Sequence, residues 1–118
     1  MGEEKNFENR IKQFLKDEDC YFIKYWGGGG FTKAGVPDLL VCCNGFFLGV
    51  ELKAEKGKPS DLQIYELRKI QKSGGIPIIL YPRDLDLFKN LIHGIKNGKG
   101  VLVSAIVEIF EERIKEYE

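Results

Sequence analysis

Three charged residues, Asp38, Glu51 and Lys53, have types and a spacing that could serve chemistry. Two carboxylates held side by side repel each other, so either one of them binds a proton or the pair binds a cation. Hard divalent ions such as Mg²⁺ prefer oxygen ligands of this kind and combine them with phosphate and water. Because a nearby lysine could contact a phosphate or activate an attacking water, the set suits hydrolysis of a phosphodiester.

The segments that carry these residues are expected to pair as a β-hairpin. Residues 37–43 and 46–53 both read as strands, and Asn44–Gly45 between them is the dipeptide most typical of a two-residue turn. Counting outward from that turn places Asp38 directly opposite Glu51, with Cβ atoms about 4.5–5.5 Å apart on one face. The lysine two residues after Glu51 points to the same face.

The opposite face of this hairpin is expected to lie in the core. It carries only apolar residues, namely Leu39, Val41, Cys43, Phe46, Leu48, Val50 and Leu52. A slip of one residue would bury the charged side chains, so the register is well determined. The adjacent Cys42 and Cys43 would point to opposite faces, and we interpret both as structural.

A purely structural interpretation of the charged residues is open on geometry alone. Charged side chains are common on the solvated face of a sheet, and a lysine beside two carboxylates could be no more than that. Opposed like charges are mildly destabilising, however, which disfavours their chance placement on paired strands.

The remaining pattern predicts a mixed sheet between helices. Helices are expected over residues 3–17, from Pro59–Ser60 to about Ser73, and over 84–96 and 104–117, with further strands over 20–26 and 76–81. The order αβββαβαα predicts an α/β (α+β) fold. The apolar stripe of the last helix needs burial and is a hint of dimerisation.

Composition bounds the class of protein. The chain has 118 residues, 43% of them hydrophobic, which suits one domain over residues 1–118. No apolar run approaches the ~20 residues of a membrane helix, and the N-terminus lacks the features of a secretory signal. An odd number of cysteines favours a reducing compartment over a disulfide framework. We therefore expect a cytoplasmic protein with no membrane partner.

The zero net charge gives weak support for nucleic acid as a partner. Residues 108–118 carry five glutamates against Arg113 and Lys115, so the rest of the chain has a small positive excess. A metal at Asp38 and Glu51 would offset two of the remaining negative charges.

Two short segments resemble the restriction-endonuclease-like, or PD-(D/E)XK, superfamily. Residues 35–39, GVPDL, are similar to its Pro-Asp element, and residues 50–54, VELKA, to its Glu-X-Lys element. The fuller pattern resembles the VRR-NUC branch, which adds a glutamate on the first helix, a Ser-X-X-Gln helix start and a Gly-rich step into a buried strand. Here these are Glu8, Ser60 to Gln63, and Gly74–Gly75 before IPIILY. The resemblance covers about residues 4–90, followed by a C-terminal helical extension over about 84–118.

The resemblance implies a restriction-endonuclease-like core that cuts DNA. Asp38, Glu51 and the main-chain carbonyl of Leu52 would bind Mg²⁺ or Mn²⁺, and Lys53 would orient or deprotonate the water. Stand-alone domains of this branch, typical of phages and prophages, resemble archaeal Holliday-junction resolvases, which are dimers that cut branched DNA. We therefore expect a homodimeric, phage- or prophage-encoded endonuclease in a bacterial cytoplasm, selective for branched DNA such as four-way junctions.

Two other functions remain open. The first is a non-specific nuclease, or one that acts on flaps or linear duplexes. The second is a DNA-binding module of a larger phage complex that keeps the fold but does not cut. The intact set of two carboxylates and a lysine argues against the second, because a non-cutting domain has no need of adjacent carboxylates.

Glu8 and Gln63 are candidates for a supporting role in catalysis. Glu8 lies on the first helix near its apolar stripe, and the family makes it a metal ligand or a neighbour of the metal site; the alternative is a surface glutamate. Gln63 has an equally good alternative, because Ser60-X-X-Gln63 is a capping box that would close the helix start without touching substrate.

Candidate DNA contacts flank the carboxylate-bearing hairpin. Thr32 and Lys33 follow the glycines at positions 27–30, which we interpret as a mobile loop that would let a DNA backbone come close. Lys56 and Lys58 precede a helix N-terminus, a natural phosphate site. Solvated lysines are the alternative in each case. Trp26 and the neighbouring aromatic residues are expected to belong to the core.

Overall fold

The computed structural model describes residues 2–27, 30 and 32–118, so that Gly28 and Gly29 of the expected mobile loop lie outside the described residues. The elements are α1 (Gly2–Asp17), β1 (Tyr21–Lys24), β2 (Leu39–Cys43), β3 (Phe46–Leu52), α2 (Asp61–Lys72), β4 (Ile76–Leu80), a 3-10 turn (Pro82–Asp84), α3 (Leu85–Lys96) and α4 (Gly100–Lys115). The predicted order is confirmed. The last helix begins four residues earlier than predicted, and β1 ends two residues earlier.

The four strands form one mixed sheet in the order β1-β2-β3-β4. The first three strands are antiparallel, and β4 runs parallel to β3. Cys43 pairs with Phe46, and both turn residues have positive φ, 48° at Asn44 and 87° at Gly45. These are the signs that a type I′ turn requires. The hairpin register predicted from the turn is therefore confirmed.

Helices cover the two faces of the sheet unequally. The main core lies on the face that carries Leu39, Val41 and Leu48, where α1, α3 and α4 contribute buried residues. On the other face α2 packs against β3 and β4, and a smaller cluster forms there from Ile64, Leu67, Ile79, Tyr81 and Ile114. The mixed sheet flanked by helices is thus observed, in agreement with a restriction-endonuclease-like fold.

Several aromatic residues predicted to be core are exposed. Trp26 is 69% exposed and Tyr21 74%, because Tyr21 lies on the part of the sheet that α2 leaves uncovered and Trp26 follows the end of the edge strand. Phe46, predicted to face the core, is 44% exposed because it adjoins the hairpin turn at the margin of the sheet. The rest of that predicted apolar face is buried.

The cysteines lie on both sides of the sheet, as the alternation along β2 predicts. Cys42 is exposed and Cys43 is buried, and all three cysteines are free. The Cys43 Sγ lies 2.9 Å from that of Cys20 inside the core. Burial raises the pKa of the Cys20 thiol to about 12, so this thiol stays protonated at neutral pH.

The last helix buries its apolar stripe within its own chain. Ile106, Phe110 and Ile114 are buried, while Ile109 is 47% exposed. Arg113 fixes the helix against β4, because its Nη1 donates to the Ile79 carbonyl and to Asp84, each at 2.7 Å. The stripe therefore no longer serves as a hint of dimerisation. Within the described part of the chain, no helix has both the length and the apolar character needed to cross a membrane.

Candidate active site

The structure brings Asp38, Glu51 and Lys53 together at one end of the sheet. Lys53 Nζ lies 3.2 Å from Glu51 Oε2, and Asp38 Oδ2 accepts a hydrogen bond from the main-chain N–H of Leu52 at 2.8 Å. The main chain of Asp38 is held too, because its carbonyl accepts a hydrogen bond from the Tyr25 N–H at 2.8 Å. We call the cluster of Asp38, Glu51 and Lys53 the carboxylate site.

Glu51 has the most deeply buried side chain of the carboxylate site. The whole residue is 3% exposed, and its buried Oε1 atom has no hydrogen-bond partner among the described residues. Burial, with the charge of Asp38 added, raises the pKa of Glu51 to about 7, although Lys53 acts in the opposite direction. A buried carboxylate with one unsatisfied oxygen is costly, so the site favours binding of a proton or a cation.

The carboxylate site fits a hard divalent cation. The unsatisfied Glu51 oxygen and the neighbouring Asp38 supply two carboxylates, the number that Mg²⁺ commonly takes while keeping several waters. Within residues 2–27, 30 and 32–118, no group of three or more His, Cys, Asp or Glu side chains could hold a metal, so this site offers two carboxylates and no third side-chain ligand of these types. Leu52 directly follows Glu51, and the role of its carbonyl as a third protein ligand stays a prediction.

Gln63 makes the contacts that both alternatives predict, one set at the helix start and one with the carboxylate site. Its Oε1 accepts a hydrogen bond from the Ser60 N–H at 2.8 Å, and the Ser60 hydroxyl accepts one from the Gln63 N–H at 3.1 Å, which completes a capping box. At the same time Gln63 Nε2 donates to Glu51 Oε2 at 2.8 Å. Because the cap occupies the amide oxygen, the amide nitrogen is left to face the carboxylate.

A lysine that the sequence did not single out links Glu8 to the carboxylate site. Lys24, at the end of β1, lies with its Nζ 3.0 Å from Glu8 Oε1 and 3.5 Å from Asp38 Oδ1. Burial alone would lower the pKa of Lys24, but the hydrogen bond to Glu8 and the charge of Asp38 raise it, so the ammonium keeps its proton. Lys24 shares the inward face of β1 with Phe22. A lysine on the strand face that packs on the core is the sequence feature that could have identified it as a site residue.

Glu8 is surrounded by lysines and reaches Asp38 only through one of them. Its carboxylate also lies 3.1 Å from Lys12 and 3.6 Å from Lys5. Burial would raise the pKa of Glu8, but the hydrogen bonds to Lys24 and Lys12 lower it below its ordinary value. Glu8 is therefore ionised and engaged by cations, in a position that supports the site rather than one inside it.

The segment between β1 and Asp38 is fastened to its surroundings at several points. The Tyr25 hydroxyl accepts a hydrogen bond from the Lys33 N–H at 2.7 Å and donates to the Lys33 carbonyl at 3.1 Å. Gly35 has φ +82° and packs so tightly on Leu62 of α2 that a Cβ would lie 2.7 Å from its side chain. A glycine is thus required three residues before Asp38, and the exposed Thr32 belongs to the same segment.

Lys33 lies apart from the carboxylate site. Its Nζ is 3.1 Å from Glu66 Oε1, on a buried glutamate of α2. The two side chains line an open cavity of about 650 Å³ together with Phe47 and Lys69, and the carboxylate site does not contribute to that lining. The Lys33 side chain stays 59% exposed in this pair, and its ammonium has three donors, so it can also reach a phosphate.

The loop that follows Lys53 carries Lys56 and Lys58, both exposed. Two contacts anchor this loop to the segment after β4: the Tyr81 hydroxyl donates to the Gly57 carbonyl at 2.8 Å, and Arg83 pairs with Glu55 at 2.7 Å. The two lysines therefore extend from an anchored loop beside the carboxylate site.

Comparison with known families finds a match over most of the chain. A model of the family described as archaeal Holliday junction resolvase (Hjc) matches residues 2–83. The matched range contains the carboxylate site, Glu8, Lys24 and Gln63, and it excludes α3 and α4. A search of curated proteins finds no match.

Proposed function

Because the chain belongs to the archaeal Holliday junction resolvase family, we propose that it is a divalent-metal-dependent endonuclease that cuts branched DNA, with four-way junctions as the preferred substrate. The family itself points to a nuclease, a hydrolase that acts on DNA. The observation that carries the metal dependence is the buried, unsatisfied Oε1 of Glu51 beside Asp38.

The residues of the carboxylate site would have different roles in the reaction. Mg²⁺ or Mn²⁺ would polarise the scissile phosphate and lower the pKa of a bound water. Asp38, Glu51 and the Leu52 carbonyl would hold the ion. Lys53, 3.2 Å from Glu51, would orient or deprotonate the attacking water.

The surrounding residues would set the geometry of that cluster. Gln63 donates to Oε2 of Glu51 and restrains it, which leaves Oε1 to the ion. Lys24 holds Asp38 from the other side and is itself held by Glu8. Lys56 and Lys58 would contact the phosphates that flank the cut, and Thr32 and Lys33 would contact phosphates on the other side.

Finer aspects of the proposal rest on the motif pattern. Within the superfamily, that pattern favours a single-domain nuclease of the VRR-NUC, phage or prophage type, acting in the cytoplasm where its DNA substrate is found. A homodimer suits the reaction, because separation of a four-way junction into two duplexes requires two strand cuts.

The substrate is tested by a panel of four-way junction, flap, linear duplex and single-stranded DNA of shared sequence. With Mg²⁺ or Mn²⁺ we expect the junction to be cut at least about tenfold faster than the duplex, and EDTA or Asp38→Asn to stop cleavage. Equal rates on all substrates would favour a non-specific nuclease. Tight junction binding without metal-dependent cleavage would favour a DNA-binding module.

The two tasks of Gln63 are separated by a pair of variants. Gln63→Ala and Ser60→Ala both break the capping box and should each lower the free energy of unfolding by about 1 kcal/mol. Only Gln63→Ala removes the donor to Glu51, so only this variant should also slow cleavage. Urea unfolding and single-turnover cleavage measure the two effects. Equal cleavage rates in the two variants would show that Gln63 acts as a cap alone.

A further inference from the structure

Trp26 is the only tryptophan of the chain and is 69% exposed. Large aromatic side chains of folded proteins are usually well buried on average, and this one follows the end of β1, outside both hydrophobic clusters. Its position after the end of the edge strand leaves the ring outside the packed core and open to solvent.

The indole lies at the rim of the carboxylate site. Lys24 Nζ is 5.4 Å from the centroid of the Trp26 ring, in a cation–π contact. The same ammonium lies 3.5 Å from Asp38 Oδ1. One lysine side chain thus separates an exposed aromatic surface from the carboxylates at which cleavage is proposed.

The main chain next to Trp26 is anchored on both sides of the site. The Tyr25 N–H donates to the Asp38 carbonyl at 2.8 Å, and the Tyr25 hydroxyl is bonded to the main chain of Lys33. Lys24, on the other side of Tyr25, is held by Glu8 and Asp38. The position of the indole is therefore tied to that of the carboxylates.

We propose that Trp26 stacks on a base at the branch point of the DNA substrate and thereby favours branched over linear DNA. This inference rests on the proposed nuclease function. In a continuous duplex every base is covered above and below by its neighbours, whereas the stack is interrupted where strands exchange. Because aromatic stacking on a base is independent of sequence, Trp26 selects for an uncovered base face rather than for a base type.

The positive charge beside the indole favours DNA over protein as its partner. Lys24, over the ring, shares the Glu8 carboxylate with Lys5 and Lys12 and also pairs with Asp38, so three ammonium groups meet two carboxylates at this side of the site. A nucleobase stacked on the ring brings its phosphate toward these lysines. A second copy of the chain would bring the same positive charge instead.

Intrinsic fluorescence tests the proposal directly, because Trp26 is the only indole. The protein is titrated in EDTA with a four-way junction and, separately, with a linear duplex of the same sequence. We expect quenching of the Trp26 emission by the junction and little change with the duplex. Trp26→Ala should lower the ratio of junction affinity to duplex affinity about tenfold, Trp26→Phe should retain most of it, and the exposed Tyr21→Ala serves as the matched control with an unchanged ratio.

Three results would overturn the proposal. The first is unchanged emission at saturating junction, and the second is equal quenching by junction and duplex. The third is an emission shift that follows protein concentration without DNA, together with a dimer by light scattering, which would place Trp26 against a second copy. Junction cleavage with unchanged emission would reject the stacking alone. Junction-specific quenching without any cleavage would support the stacking and reject the nuclease function.

Discussion

Replacing Lys53 with methionine is expected to lower the rate of DNA cleavage by about 10²–10⁴-fold, the range that a positioned proton-transfer group contributes. Methionine keeps the length and the apolar stem of the side chain but removes the ammonium that lies 3.2 Å from Glu51 Oε2. Folding should survive, because Glu51 can bind a proton when its cation is lost. Single-turnover cleavage at saturating DNA measures the rate, and circular dichroism checks the fold.

Two further variants test how Lys53 acts and whether the effect is specific to it. Lys53→Arg keeps the charge, but its guanidinium cannot lose a proton near neutral pH. Partial activity of this variant would indicate that Lys53 orients the water, and complete loss of activity would indicate that Lys53 deprotonates the water. Lys56→Met, on the same loop, should weaken DNA binding with a reduced dependence on salt, without the loss of rate at saturation. Full activity in Lys53→Met would remove this residue from the mechanism.

The metal-free protein is expected to become less stable as the pH rises from about 5 to about 8. The pKa of Glu51 is raised to about 7 in the folded chain, so the folded state holds this proton more tightly than the unfolded state does. The stability that the proton provides is complete below the ordinary pKa of a glutamate and is lost as the pH passes about 7. A difference of this size corresponds to about 3 kcal/mol, as an upper bound.

Urea unfolding in EDTA across this pH range measures the effect. Glu51→Gln should abolish the pH dependence, because an amide does not ionise and can still accept the hydrogen bond from Gln63. At about pH 8, Mg²⁺ should restore stability to the native chain but not to this variant, since a cation replaces the proton as the partner of the carboxylate. An unfolding free energy that is flat with pH in EDTA would contradict the raised pKa.

The centre of the candidate site could be predicted because its geometry is local. The Asn44–Gly45 turn fixes which residues face each other across the hairpin, and the apolar reverse side excludes a shifted register. Asp38 and Glu51 therefore follow from turn chemistry and periodicity. For Gln63, helical spacing predicts either a helix cap or an active-site contact. It does not show that one amide can do both, with its oxygen in the cap and its nitrogen bonded to Glu51.

The outer residues could not be predicted because they depend on contacts distant along the chain. Lys24 reaches Asp38 through pairing of β1 with β2, and no short turn sets that register, since the loop between the strands is long. Lys33 likewise contacts Glu66, which is distant along the chain on α2. The residue type of Trp26 predicts a core position, and nothing in the sequence shows that α2 packs mainly on β3 and β4.

The way in which Arg113 holds α4 on β4 limits how copies of this chain could associate through their sheets. β4 and β1 are the two edges of the sheet, and the Arg113 side chain already occupies the Ile79 carbonyl at the β4 edge. Pairing of β4 in one copy with β1 in the next would repeat without end and build a filament. With the Ile79 carbonyl taken by Arg113, the β4 edge lacks one of the acceptors that such pairing needs, which disfavours growth from that edge.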